Sequence, residues 1–114
     1  MPNTYKNAAV NITSAGSPGS TTLYTVPSST TAIVNDVVVA NKSESADNTF
    51  NLIFNDNSAG ADYYLISGAA LPQSSNFAPL PGSLVLEQND VLKTNISITD
   101  SAGVSVTASI LEIT

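Results

Sequence analysis

The sequence predicts an all-β protein, a single antiparallel β-sandwich of about eight strands with a jelly-roll or immunoglobulin-like topology. Two observations predict this class. No stretch shows a sustained apolar period of 3.6 residues, and short β-branched runs separated by Ser, Asn, Gly and Pro recur from end to end. At 114 residues we expect one domain, residues 1–114, which is long enough to bury roughly two-thirds of the surface that its unfolded chain exposes.

The first half of the chain contains four apolar or β-branched runs bounded by turn-forming residues. The stretches SAGSPGS, PSST and KSESAD separate these runs, and each is rich in the Ser, Gly, Pro and Asp typical of turns. The predicted strands span residues 5–13, 20–26, 31–41 and 48–55.

The second half contains four further runs. NDNSAGAD predicts the turn of a hairpin, and residues 68–82 form a long Gly- and Pro-containing connection. In the strand VLKTNISIT, apolar and polar residues alternate, which indicates one face on the core and one in water. These predicted strands span residues 61–67, 83–87, 91–99 and 104–113.

The third predicted strand is apolar on both faces. Strict alternation places Ile33, Val37 and Val39 on one face, and Val34 and Val38 on the other. A sandwich core covers one face only, so the second face needs another cover. That cover is either a second element or a second subunit, or the connection 68–82 of the same chain with its Phe77, Pro79, Leu80 and Pro81.

The last strand raises the same question. Val104, Val106, Ala108 and Ile110 share a face, whereas the remaining apolar residues of the strand take the opposite face; these are Leu111 and Ile113. A bulge or a buried C-terminal edge would account for the change. We also expect the two chain ends to be held by strand pairing or by neighbouring molecules. The candidate contact residues are therefore Ile33, Val34, Val37, Val38, Val39, Leu111 and Ile113.

Composition excludes several classes of function. Without histidine or cysteine, the chain lacks the usual general base, the usual metal ligands and any thiolate nucleophile. Three lysines, no arginine and a net charge of -6 oppose binding to a phosphate backbone. No apolar run resembles a signal peptide or a membrane span. We therefore expect no cofactor, no metal site, and neither nucleic acid nor membrane as a partner.

Glu87 and Asp90 are the one candidate acid pair. A glycosidase needs two carboxylates about 5–9 Å apart across a cleft, but no aromatic wall and no basic residue other than Lys93 accompanies this pair. The alternative is a turn between two strands, in which Asn89 tolerates a positive φ and the Asp90 carboxylate accepts backbone N–H groups. We expect the turn, and therefore no enzyme.

Two further groups of residues have features of a binding site. Residues 55–62 place oxygen-bearing side chains at alternate positions, as in a calcium loop, but Ala59 occupies a ligand position and no glutamate follows at the twelfth, which favours a hairpin turn. A carbohydrate-binding platform would need aromatic side chains on one face. Without tryptophan, its candidates are Tyr5, Tyr24, Tyr63 and Tyr64.

Three segments resemble small structural proteins of tailed-bacteriophage virions, of the marine and cyanobacterial phage type. They are LYTVPSSTTAIVNDVVVANKS from Leu23, ADYYLISGAALPQSSNFAPLPGSLVLEQNDVLK from Ala61, and VSVTASILEIT from Val104. Asn89 departs from the pattern, which usually has glycine there. The matching positions are Tyr24, Val26, Pro27, Asn41, Leu86, Asp90, Leu92, Ser109, Glu112 and Ile113.

The resemblance implies a β-sandwich component of a virion without catalytic activity. We expect a capsid decoration (cement) protein on the capsid exterior, made in the host cytoplasm. Its expected partners are its own copies, with a trimer favoured, and the major capsid protein or another virion protein. The alternatives are a neck, tail or fibre-associated subunit and, less favoured, a carbohydrate-binding module.

Overall fold

The computed structural model, which describes residues 3–78 and 82–114, contains two antiparallel sheets packed face to face. The predicted all-β sandwich is confirmed. No helix in these two ranges is long and apolar enough to cross a membrane. The strands are β1 Asn3–Ile12, β2 Thr21–Thr25, β3 Thr31–Asn41, β4 Asn48–Asp56, β5 Ala61–Leu71, β6 Asn76–Phe77, β7 Leu84–Leu86, β8 Val91–Ile96 and β9 Val104–Ile113.

The strand order defines a jelly roll. One sheet has the order β1-β9-β3-β6, with β7 also paired to β3, and the other has the order β2-β8-β4-β5. Both β6 and β7 lie along the edge of β3 that faces away from β9, so together they fill one strand position. The sandwich therefore has eight strand positions in two four-stranded sheets. Chain neighbours such as β1 and β2 alternate between the sheets, as the two Greek keys of a jelly roll require.

A bulge in β3 overturns the predicted division of its faces. The pairing of β3 with β9 shifts register between Val34 and Asp36, so Asn35 is an extra residue and the alternation restarts after it. Val34 and Val37 consequently both point into the core, whereas Ile33 and Val38 face outward. Strict alternation instead places Ile33 with Val37 and Val34 with Val38, because alternation in the sequence does not reveal a bulge.

Strand β9 needs neither the predicted bulge nor a buried edge. It is a central strand between β1 and β3, and its burial alternates regularly over its whole length. Its register with β1 is continuous from Asn3 opposite Ile113 to Ile12 opposite Val104. The two ends of the described chain are thus paired with each other. Met1, which the expectation about the ends included, lies outside the described residues.

Strand bounds agree with the sequence except around the 68–82 connection and at the end of β8, which stops at Ile96 and not at the predicted 99. Strand β5 continues to Leu71 through Gly68, which adopts φ 62°, and the short β6 was missed. Strand β6 pairs beside β3 and does not lie over its outer face. The predicted cover by Pro79, Leu80 and Pro81 lies outside the described residues.

The core fills the space between the sheets. The inward residues of β3 and β9 meet those of β4 and β8, and in the part of the chain described, every fully buried side-chain polar atom has a hydrogen-bond partner. The largest fully buried side chains of this core are Phe50, Leu52, Leu71, Leu86, Leu92, Ile96 and Ile110.

Gly103 is required at the turn before β9. It has φ +82°, and a Cβ there would lie 2.9 Å from the Ile12 carbonyl oxygen. We expect Gly103→Ala to lower the free energy of unfolding by about 2 kcal/mol or more, because left-handed strain adds to the clash. Gly60→Ala is the matched control, since φ is +65° with nothing within 4 Å, and should cost only about 1 kcal/mol. Equal losses in urea unfolding would contradict this assignment.

Candidate subunit-contact surface

An apolar row crosses the outer face of the β1-β9-β3 sheet. Tyr5 lies opposite Leu111, Leu111 lies opposite Ile33, and Ile33 lies opposite Val85 of β7. Residues directly opposite one another in antiparallel strands share a face and are in contact distance. Tyr5 is 81% exposed and Val85 58% exposed, while the two central residues are half-buried. We call Tyr5, Leu111, Ile33, Val85 and the adjacent Ile113 the outer apolar band.

The outer apolar band carries no charge. On one side its second row consists of Asn3, Ile113 and Thr31, again without an ionisable side chain; on the other side, the row through Ser109 ends at the exposed Asp36. The chain as a whole has a net charge of -6. An uncharged, partly apolar area on an acidic protein is where another protein surface can dock without desolvating carboxylates.

A shallow depression adjoins the band. It has a volume of about 300 Å³ and is lined by Tyr5, Lys6, Asn7, Asn35, Ser109 and Ile110. Asn35 is the extra residue of the β3 bulge, so the same irregularity that reverses the faces of β3 also shapes this surface. The depression is polar next to an apolar row, which resembles the core-and-rim arrangement of protein interfaces.

The predicted contact residues separate into two groups. Val34, Val37 and Val39 have no exposed area and belong to the core, so they are removed from the candidate contact surface. Val38 is exposed, but it lies opposite Thr107, away from the band. The candidates that the structure brings together on the surface are Ile33, Leu111 and Ile113.

Tyr5 and Val85 were not among the predicted contacts. Tyr5 is flanked by polar residues, and Val85 is flanked by two leucines. Neither residue is therefore part of an alternating apolar pattern that would mark an outer face. Only the pairing of β1, β9, β3 and β7 places them in one row. Because successive residues of a strand point to opposite faces, Val85 is expected on the face opposite to Leu84 and Leu86. This alternation is the only sign in the sequence that Val85 faces outward.

The tyrosines do not form a platform. Tyr63 pairs with Phe54 and stacks on it at a centroid distance of 6.3 Å, whereas Tyr64 pairs with Ile53 on the other face of the sheet. Tyr24 is buried and Tyr5 lies on the other sheet. A sugar ring therefore has no shared aromatic face among these four residues.

Glu87 to Asp90 form a turn. The Asp90 N–H donates to the Glu87 carbonyl, and Asn89 adopts φ 67° at the third position, as a type II turn requires. The Asp90 carboxylate accepts the N–H groups of Glu87 at 2.8 Å and Asn57 at 2.9 Å. Asp90 thus connects its own turn to the β4–β5 hairpin, and it is only 2% exposed.

Glu87 and Asp90 do not both line the depression next to their turn. The depression next to this turn is lined by Glu87 and Gln88 with residues 29–31, and Asp90 is not part of its wall. Carboxylate oxygens of Asp56, Glu87 and Asp90 lie within 4.8 Å of one another. Two of these carboxylates already accept backbone N–H groups, Asp56 from Ser58 and Asp90 as above. The arrangement is that of a turn and its caps.

A buried polar pair joins the two sheets. The Tyr24 hydroxyl of β2 donates to Glu112 Oε2 of β9, and Lys6 Nζ of β1 lies 3.4 Å from the same oxygen. The pKa of Tyr24 is raised well above its usual range. Burial is the largest cause, and the hydrogen bond to Glu112 and the negative charge of Glu112 are the next two. Glu112 is one of the positions that match the phage pattern, and here its carboxylate accepts hydrogen bonds from Tyr24 and Lys6.

Comparisons with known proteins identify no family. No family model matches the chain, and no curated protein matches it. Among solved structures, the chain is similar to a chain of the virus-like particle of extra small virus (XSV) of the giant freshwater prawn Macrobrachium rosenbergii. The TM-score is 0.38 at 15% identity, over 98% of this chain and 79% of the other.

Proposed function

We propose that this chain is a non-enzymatic structural protein of a virion, and specifically a capsid decoration (cement) protein that binds the capsid exterior. The observation that carries the proposal is the outer apolar band, an uncharged row across every strand position of one sheet on an otherwise acidic domain. The three sequence segments that resemble tailed-phage virion proteins support the same assignment.

The proposed partner of the band is the major capsid protein or another virion protein. Burying a Val, Leu or Ile side chain fully contributes about 1.5–3 kcal/mol relative to leaving it exposed. The band contains four such side chains; Val85 is exposed, and the other three are half-buried and contribute part of that amount each. The acidic remainder of the surface disfavours contact with nucleic acid. A cement protein of this kind stabilises the shell by bridging neighbouring capsid subunits.

The copy number per virion tests where in the particle the protein is located. Quantitative mass spectrometry of purified virions should give hundreds of copies per particle for a decoration protein. About a dozen copies or fewer would reassign it to the neck, tail or fibre while leaving the virion role intact. Absence from purified virions would overturn the proposal.

Matched surface variants test the band itself. Val85→Asp places a carboxylate in the band, and Ile98→Asp places one at an exposed apolar residue, 46% exposed, outside it. Both should lower the free energy of unfolding by only about 1 kcal/mol or less, so that both variants stay folded. In rebinding assays with particles stripped of this protein, we expect Val85→Asp to lose binding at least tenfold and Ile98→Asp to retain it. Equal binding by the two variants would contradict the assignment of the band.

A further inference from the structure

Strand β1 is the edge of its sheet, and half of its backbone groups are unpaired. The Lys42 N–H donates to the Gly103 carbonyl at the end of the β3–β9 ladder. Along a strand, the N–H and C=O groups of successive residues point alternately to the two neighbouring strands. Since Gly103 points toward β3, the even-numbered residues of β9, beginning with Val104 and Val106, point toward β1. Their partners are the even residues of β1. The outward residues of β1 are therefore Asn3, Tyr5, Asn7, Ala9 and Asn11.

No other described segment forms backbone hydrogen bonds with this outer side of β1. The strand pairs with β9 over ten consecutive residues without a register shift. It contains no proline, and its single charge is Lys6, which pairs with Glu112 within the same chain. A long, regular edge of this kind is a template for another strand.

The other three edges carry the features that prevent edge-to-edge pairing. Strand β2 has five residues and a bulge, and the β6–β7 edge is interrupted and short. Strand β5 is long, but its register with β4 shifts twice, and Gly68 adopts a positive φ within it. Bulges and short strands are the usual protection of exposed edges. Strand β1 alone among the described edges lacks them.

We propose that β1 pairs antiparallel with β1 of a second copy of this chain about a two-fold axis. The pairing with the longest overlap places Asn7 opposite its own copy, Tyr5 opposite Ala9, and Lys6 opposite Ala8, so no like charges meet. It forms about ten backbone hydrogen bonds, two for each outward pair. Strand β1, Asn3–Ile12, contains no carboxylate. Although the chain has a net charge of -6, no two carboxylates of paired β1 strands therefore repel each other at short distance.

The pairing has consequences for the outer face. It joins two four-stranded sheets into one, with the two Tyr5 side chains on the same outward face near the axis. The two outer apolar bands then form parts of one continuous surface. It also requires an even number of copies, in place of the trimer that the sequence favours. The pairing does not depend on the proposed virion role, because the purified chain alone tests it.

The test compares Ala9→Pro with Ala9→Val. Proline removes an outward N–H and leaves the β1–β9 bonds in place, whereas valine adds similar bulk and keeps the N–H. In sedimentation velocity, the wild type and Ala9→Val should be dimeric and Ala9→Pro monomeric, with unchanged far-ultraviolet circular dichroism. A monomeric wild type at high concentration, or an Ala9→Pro protein that stays dimeric, would overturn the proposal.

Hydrogen exchange and charge pairing give readouts that do not depend on the proline variant folding. The amides of Tyr5, Asn7, Ala9 and Asn11 should be protected in the wild type, although β9 does not bond to them. Asn7→Lys and Asn7→Asp should each be weakened as homodimers, and their mixture should form the heterodimer in native mass spectrometry. Rapid exchange of these amides in the oligomer, or their protection only after another virion protein is added, would rule out pairing between copies.

Discussion

Asp90→Ala is expected to lower the free energy of unfolding by about 3–5 kcal/mol, because two backbone N–H groups lose a charged acceptor. The Asp90 carboxylate binds the N–H of Glu87 and the N–H of Asn57. The same turn also pairs with the end of β2 through two bonds between backbone groups of Val26 and residues 89 and 90. Loss of the side chain therefore loosens three segments at once.

Asp90→Asn is the matched control for this prediction. The amide oxygen of the asparagine can accept one of the two N–H groups, whereas its NH₂ group faces the other. We therefore expect Asp90→Asn to lower the free energy of unfolding by about half as much as Asp90→Ala. Urea unfolding with unchanged m-values measures both variants. A loss below about 1 kcal/mol for Asp90→Ala would show that the turn does not depend on this carboxylate.

The second large effect is expected at the Tyr24–Glu112 pair. Glu112→Leu leaves the buried Tyr24 hydroxyl without its acceptor, and Tyr24→Phe leaves the Glu112 carboxylate with Lys6 alone. Each should cost about 2–3 kcal/mol. The double variant buries neither polar group, so it should cost clearly less than the sum of the two. Additive losses in a double-mutant cycle would show that the hydrogen bond does not couple the sheets.

The same pair predicts a loss of stability in alkali. The pKa of Tyr24 is raised by burial and by Glu112 in the folded state, while an unfolded tyrosine titrates near 10. Above about pH 10 the unfolded chain releases this proton and the folded chain retains it, so the free energy of unfolding falls by about 1.4 kcal/mol per pH unit. Below pH 10 the contribution is complete. Tyr24→Phe should have a flatter stability profile between pH 9 and 11, as urea unfolding at each pH would show, and parallel profiles would contradict the assignment.

Much of the fold follows from local sequence signals. The absence of a helical period and the spacing of β-branched runs predict the sandwich, and six of the eight predicted strands match observed strands within about two residues at each end. The turn at Glu87–Asp90 is also local, because Asn at a position of positive φ and Asp as its cap act within four residues. The two poorly matched strands are β5, which continues past Gly68, and β8, which ends before the predicted 99.

The candidate surface could be predicted only in part. Leu111 and Ile113 are correctly separated in face from the inward residues of β9 because that strand alternates without interruption. Val34, Val37 and Val39 are among the predicted contacts because both faces of the strand are apolar and the letters do not show which face is inward. The bulge at Asn35, with which all three point inward, leaves no mark in the letters either. Whether a bulge forms depends on pairing with β9, which lies about 70 residues further along the chain.

The sequence by itself determined the class of fold, the strand periods, the acidic charge and the lack of histidine and cysteine, since these depend on residue types and short-range spacing. Only the tertiary structure decided the jelly-roll order, the inward direction of Val37, the row formed by Tyr5, Leu111, Ile33 and Val85, and the open edge of β1. The physical reason is that a face or an edge is a property of strands paired across the chain. Each strand carries half of such a surface, and its partner is chosen by packing between segments that the local sequence does not specify.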